Sequence, residues 1–476
     1  MLLVLAFRQL LVTRARSLFL LAGYGLGVGV MIVLLSVGEA MLVQSRDVRL
    51  VGGGEVTILP EGIDIEALRT GGLGGMFFTV DRARYVARQA IGGPRHADVV
   101  EAVSPSLENK LLYLAAGDDT VAVRAGGAIP SRAGRLGAGL DLLAGSWRDT
   151  PSDSAYIAPT AQQLYDEIDH FHYPSVRDST WGEWHYFNLV TGPDEWWYVS
   201  FLVGGEIPDG RWGGQVLVTH RRADGRYERL ELPVPSDRIA LDTSRADLAL
   251  GDNRVIQRNG SYTLVVRLPA PGLRMDLEVT PAPFHYFPPV QLREGEYTSG
   301  YAVAALRGSV RGQICRAGSC REVTGPAYHD HNWGVWRQVS WEWGAATGPR
   351  LSFLYGQVQA PDSATAPEPF FLALVDSLGV RQVLLASPIE YAGSRPLATG
   401  RGVTAPERFE FRAGRGRDSV QVRVTVREAA GTLMGTGGFR RYFLQMRGRF
   451  RLSGSIGGAA IEESGDGFFE TWRTGD

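Results

Sequence analysis

Between about residue 176 and residue 474 the chain is a succession of short runs rich in aromatic and β-branched residues, each closed by a turn signal. Glu183-Trp184-His185-Tyr186-Phe187-Asn188 is followed, across Gly192-Pro193-Asp194, by Trp196-Trp197-Tyr198-Val199-Ser200-Phe201. Gln215 to His220 and Tyr227 to Leu232 flank Asp224-Gly225 in the same way. Runs of this length separated by such turns are hairpin signals, and their number points to an all-β architecture. The 60 glycines and 11 tryptophans among 476 residues suit many short strands around aromatic interiors. About ten strands of up-and-down type end near Trp333, and a second set starts near Gln338. Two consecutive antiparallel barrels fit this pattern, with their boundary near residue 336.

Upstream the pattern changes. Ser17 to Gly38 carries no charge over 22 residues. As a helix it would be about 33 Å long, enough for a hydrocarbon core of about 30 Å. Arg8, Arg14 and Arg16 precede it and Glu39 follows. Positive charge on that side keeps the first residues in the cytoplasm and sends the remainder outward. The expectation is a single-pass inner-membrane protein with its bulk in the periplasm. A cleavable signal peptide is the other reading, but the run is long for one and Val37-Gly38-Glu39-Ala40 lacks a small-x-small site. Residues 1–16 read as an amphipathic lead-in helix. Residues 44–150 read as mixed α/β, with a strand within Val51 to Pro60 and a short helix over Asp81 to Ala90. Strands at Glu108 to Ala115 and Thr120 to Arg124 flank a Gly-Asp-Asp turn.

Net charge is −2, with 49 basic and 51 acidic residues, so nothing points to nucleic acid. Gly52-Gly53-Gly54 is not followed by Gly-Lys-Ser/Thr, so the chain has no ATP site of its own. Cys315 and Cys320 are the only cysteines, separated by Arg-Ala-Gly-Ser. They would face each other across a four-residue hairpin turn, and a disulfide suits an oxidising periplasm. Two unpaired thiols are the alternative.

Ala327-Tyr328-His329-Asp330-His331-Asn332-Trp333-Gly334-Val335-Trp336 concentrates the chemistry. Alternation on a strand puts Tyr328, Asp330 and Asn332 on one face and His329, His331 and Trp333 on the other, with Gly334 breaking or bulging the strand. Asp330 facing an apolar interior would be an acid of raised pKa. It would equally serve structure by accepting backbone N–H bonds or by pairing with Arg337. His329 and His331 could meet His185 or His172 at a metal, but strand histidines more often serve as hydrogen-bonded core residues, and no metal or cofactor is assigned. Glu183 and His185 share a face and could make an acid/base pair, though an inter-strand salt bridge is the simpler reading. The Arg447 to Arg451 run, with its alternating arginines, reads as a solvated strand face.

Two resemblances follow from these segments. FRQLLVTRARSLFLLAGYGLGVGVMIVLLSVGEAM, GGGEVTILPEG and AVSPSLENKLLYL resemble the start of an ABC-transporter permease of the MacB/FtsX type, without its later spans. EWHYF at 183–187, GPAYHDHNWGVW at 325–336, SWEWGAATGPRLSFLYGQV and the terminal GFFETWR resemble the CrtC/AttH family, which includes carotenoid 1,2-hydratases (hydroxyneurosporene synthases). That resemblance implies two lipocalin-like barrels. It ties Tyr328 and Asp330 to acid catalysis in the hydratases.

The expected organisation is a cytoplasmic lead and anchor (1–43), a permease-like extracytoplasmic segment (44–165), and lipocalin-like barrels at 166–336 and 337–476. The first functional expectation is a membrane-anchored carrier of an elongated apolar molecule, lipid or isoprenoid, working with the ATPase and permease of an ABC export system. The second is an enzyme protonating an isoprenoid double bond, with Asp330 as acid and Tyr328 and Asn332 orienting it or a water. Trp184, Tyr186, Trp196, Trp197, Trp333, His329 and His331 are the expected ligand contacts.

Overall fold

The computed structural model describes residues 14–46, 99–117, 119–135, 148–153, 169–174, 177–270, 272–294, 297–336, 339–359, 370–397, 403–434 and 441–474, with isolated positions among 58–96 and 162–166. The expected lead-in helix, apart from residues 14–16, and nearly all of the Val51 to Pro60 strand lie outside these residues.

Two compact units are formed, residues 1–87 with 100–154, and residues 88–99 with 155–476. The first contains helix α1 (Arg14–Arg46) and an antiparallel hairpin of Ser106–Ala116 with Asp119–Ala128. The apolar side chains of α1 are exposed all round, Phe19 at 83% and Leu35 at 67%. Its described side chains run unbroken from residue 22 to 37, and among the described residues no helix is long and apolar enough to cross a membrane.

The second unit is built from two barrel-like antiparallel sheets, one of twelve strands and one of nine. In the first, most strands pair with a neighbour in sequence; Leu273–Pro281 skips Phe287–Glu294 to pair with Tyr297–Arg316, and one pairing joins strands far apart along the chain. There β1 (Trp181–Gly192), which also pairs with β2 (Glu195–Gly205), meets β4 (Ser319–Val335), the hairpin partner of β3 (Tyr297–Arg316). In the second, β5 (Ser340–Thr347) pairs with β7 (Ala459–Thr474), and β7 with β6 (Arg441–Ile456). Gly379–Ala386, at one end of that sheet, also pairs with Arg408–Arg415, the strand next to its other end.

Each barrel has a filled interior. Phe187, Leu189, Trp197, Phe201, Leu264 and Met275 pack inside the first. Phe353, Tyr355, Leu372, Phe409, Phe450 and Phe469 pack inside the second. A third cluster joins the barrels: Tyr186, Trp196, Tyr198, Tyr301 and Tyr328 from the first against Trp343, Leu354, Phe371 and Phe468 from the second. β1 and the C-terminal half of β4, from Ala327 on, are therefore buried on both faces.

The disulfide Cys315–Cys320 is present, but the turn differs from expectation. Cys315 and Cys320 are a directly opposed pair inside β3 and β4, and only Ala317 and Gly318 form the turn. Both have positive φ, 48° and 85°, which a two-residue hairpin requires if it is to follow the strand twist. Gly334 does not end its strand either: it pairs with Ser299 and Gly182, and β4 continues to Val335.

Candidate functional site

A cavity of about 1130 Å³ lies between the two barrels, not inside either. Pairing of β1 with β4 sets Asp330 opposite Tyr186 and Asn332 opposite Trp184, and these four side chains line it. From the second barrel, pairing of β7 with its neighbours sets Glu470 between Trp343 and Gln445, and these three line it too. Trp336, Trp341, Phe443 and Trp472 extend an aromatic wall, with Trp184–Trp336 centroids 4.7 Å apart and Trp341–Trp472 4.9 Å apart. Arg441 also lines the cavity, its guanidinium 5.1 Å from the Trp472 ring centroid.

Asp330 is 2% exposed. One carboxylate oxygen accepts from the Tyr328 hydroxyl at 2.6 Å and the other from the Asn332 amide at 2.7 Å. The Trp343 indole N–H donates to the Tyr328 oxygen at 2.9 Å, so a donor from the second barrel fixes the phenol that holds the acid of the first. Burial pushes the Asp330 carboxyl up to about 6, against the lowering effect of the Tyr328 hydrogen bond and of His329. No partner from Arg337 can be stated, because Arg337 is outside the described residues.

Glu470 completes the site, and the sequence reading did not find it. It is 8% exposed and accepts from the Trp341 indole at 3.0 Å. Burial, then the nearby Asp330 charge, push its carboxyl up to about 8, opposed by hydrogen bonding to Trp341, Tyr186 and Gln445. The Gln445 amide donates to the Tyr186 hydroxyl at 2.5 Å. Two carboxyls thus face one aromatic cavity, displaced to different pKa values, the condition for dividing acid and base roles between them. Ser299 of the first barrel and Trp472 of the second also line the cavity, and Ser299 Oγ and Trp472 Nε1 are buried without a hydrogen-bond partner among the described residues, free to meet polar atoms of a ligand.

The expected site residues divide accordingly. Asp330, Asn332, Trp184 and Tyr186 line the cavity, and Tyr328 lies directly behind Asp330. Trp196 sits in the joint between barrels, its N–H donating to Glu428 at 2.7 Å. Trp197 faces the first barrel's interior, stacked on His220 with centroids 3.4 Å apart. Trp333 stacks on His172 at 3.6 Å, and His329 and His331 are fully buried on the same inner face of β4. None of these five lines the cavity: strand alternation turns Trp197, Trp333, His329 and His331 to the first barrel's interior, and Trp196 is packed in the joint. Glu183 and His185 make no pair with each other: Glu183 meets His172 and His331, while the carboxylate nearest His185 Nδ1 is that of Asp169, at 3.9 Å.

No family model and no curated protein matches the chain. Among solved structures, one described as AttH from Nitrosomonas europaea aligns at 16% identity and a TM-score of 0.42, over 63% of this chain and 96% of that one. Kievitone hydratase from Nectria haematococca aligns at 13% identity and 0.42, over 64% and 94%. CghA bound to Sch210972 aligns at 13% identity and 0.43, over 62% and 89%. Similarities at this level say nothing about chemistry.

Proposed function

We propose that the chain is an acid–base catalyst acting on an isolated carbon–carbon double bond of an elongated apolar molecule, isoprenoid in character, held between the barrels. The observation that carries this reading is the pair of buried carboxyls facing one aromatic cavity. A carrier needs the apolar walls but has no use for two carboxyls, since burying such groups is unfavourable.

The roles follow from the two pKa values. At neutral pH Glu470, at about 8, holds its proton and Asp330, at about 6, is mostly ionised. Glu470 delivers its proton to one alkene carbon, forming a C–H bond and leaving a tertiary carbocation. The faces of Trp341, Trp343 and Tyr186 stabilise the cation. Asp330, oriented by Tyr328 and Asn332, takes a proton from water as its oxygen bonds to the cation, and an alcohol results. Asp330 then returns its proton, through solvent, to Glu470. Without a water at the cation, loss of a neighbouring C–H proton to Asp330 gives an isomer, and attack by a second double bond closes a ring and moves the charge, which a proton lost to Asp330 then discharges. Glu470 thus takes the donor role expected of Asp330.

The test is to incubate the full chain in detergent with acyclic carotenoids and isoprenoid lipids, then re-extract and weigh the products. A product heavier by one water, or an isomer of unchanged mass, is expected from the wild type. It should fall by about a hundredfold or more with Glu470→Gln and with Asp330→Asn. A ligand bound and released unchanged by the wild type would make the protein a carrier.

The exposed apolar surface of α1 supports a membrane anchor, with the second unit in the periplasm and, as the permease-like lead suggests, an ABC export system beside it. Added protease should reach the barrels from the periplasmic side of spheroplasts. Protection from protease there would reverse the topology.

A further inference from the structure

The inner face of β4 carries a second set of chemical groups that the proposed reaction does not use. Six side chains meet inside the first barrel: Asp169 and His172 from the segment before β1, Glu183 and His185 from β1, and His329 and His331 from β4. Asp169, His329 and His331 are 0% exposed, Glu183 2% and His185 4%. Donor atoms of Asp169, His185 and His329 all lie within 4.8 Å of one another, as do those of His172, Glu183 and His331.

Hydrogen bonding leaves the first of these sets incomplete. His329 Nδ1 lies 3.1 Å from the Tyr186 carbonyl, which can only accept, so that nitrogen carries a hydrogen. Its Nε2 then points at Asp169 Oδ2, 2.9 Å away. A backbone carbonyl holding one imidazole nitrogen while the other turns to a convergent carboxylate is the arrangement of a metal-bound histidine. His185 Nδ1 is buried without a hydrogen-bond partner and lies 3.9 Å from the same Asp169 oxygen. Asp169 Oδ1 and His331 Nδ1 are 3.0 Å apart but not in hydrogen-bonding geometry. The ring of His331 reaches Glu183 with its other nitrogen at 2.8 Å. Orphaned buried nitrogen and oxygen atoms are unfavourable, and here they converge.

We propose that Asp169, His185 and His329 bind one divalent transition-metal ion of the zinc class. Two imidazole nitrogens and a carboxylate oxygen suit zinc, cobalt or nickel, whereas calcium and magnesium select oxygen ligands. Its role is structural: the three ligands lie on the inner side of β1 and β4, and none of them lines the cavity. His329 precedes Asp330 directly in β4, so the ion clamps the strand that aims Asp330 into the cavity. The proposal is independent of the reaction assigned to that cavity.

The test uses the full chain in detergent, purified without a histidine tag or chelator. Elemental analysis is expected to find about one transition-metal ion per chain. Chelator-treated protein given cobalt(II) should develop the visible absorption of a nitrogen- and oxygen-ligated site. Its thermal midpoint should rise by several degrees when zinc is restored. His185→Gln should lose both the metal and the cobalt spectrum, and His172→Gln should keep them. Wild-type protein with no stoichiometric metal and no cobalt spectrum would overturn the proposal whether or not the variants fold.

Discussion

Asp330 and Glu470 sit in one cavity from strands 140 residues apart, and their environments set their chemistry more than their identities do. Glu470 carries a consequence for stability. Its carboxyl is pushed from an ordinary 4.5 to about 8 by burial and by Asp330, so the folded protein holds a proton that the unfolded chain has released. Stability contributed by that proton is present below about pH 4.5 and lost as pH rises through about 8. Replacing Glu470 with Gln removes this dependence. Chemical denaturation across that range should show wild-type stability falling with pH more steeply than the variant's, and parallel curves would contradict the assignment. The face on which Asp330 lies was legible in the sequence, because strand parity alone separates Tyr328, Asp330 and Asn332 from the histidines; its role beside a second carboxyl was not. Glu470 was not, because Gly465 to Arg473 reads as an aromatic closing strand and no local period says which strand of the other barrel its carboxyl will face.

At the scale of elements, β1 and β4 are central. Their pairing sets Asp330 opposite Tyr186 on the outer face and His331 opposite His185 on the inner face. β3 supports β4 from the other edge, and there the fit is close. Gly300 pairs with Trp333, and a Cβ at Gly300 would stand 2.2 Å from the Trp333 ring. Trp333 is 1% exposed and stacked on His172, so it has nowhere to retreat. Gly300→Ala should destabilise the protein by about 1–3 kcal/mol in equilibrium unfolding, the range for an overpacked core. A change near zero would mean the ring can move. The strands themselves were readable from turn signals and aromatic runs. Their lengths were less so: β3 and β4 extend to Arg316 and Ser319, and the disulfide lies inside the ladder because a two-residue turn needs only Ala317 and Gly318. Short or Pro-containing strands such as Ile239–Leu241 and Phe287–Glu294 gave too little pattern to find.

At the scale of the molecule, two sheets formed by consecutive stretches of the chain were visible in the sequence, since hairpin neighbours lie close along it. The location of the cavity was not. The sequence suggested that Asp330 faces an apolar interior, but both barrel interiors are filled by their own large side chains, and the space it faces is the seam between them. A seam is lined by outward faces of strands from both sheets, so its residues look in sequence like a second core face. This arrangement makes neither barrel sufficient alone: Trp343 of the second steadies Tyr328 of the first, and Asp330 of the first raises Glu470 of the second. The proposed chemistry needs a carboxyl that stays protonated in that seam. Infrared difference titration of the full chain reads it without any substrate. A protonated-carboxyl band that persists through neutral pH, disappears near pH 8 and is missing from Glu470→Gln is the predicted result. Wild-type and Glu470→Gln spectra that match, with every carboxyl ionised at neutral pH, would contradict it.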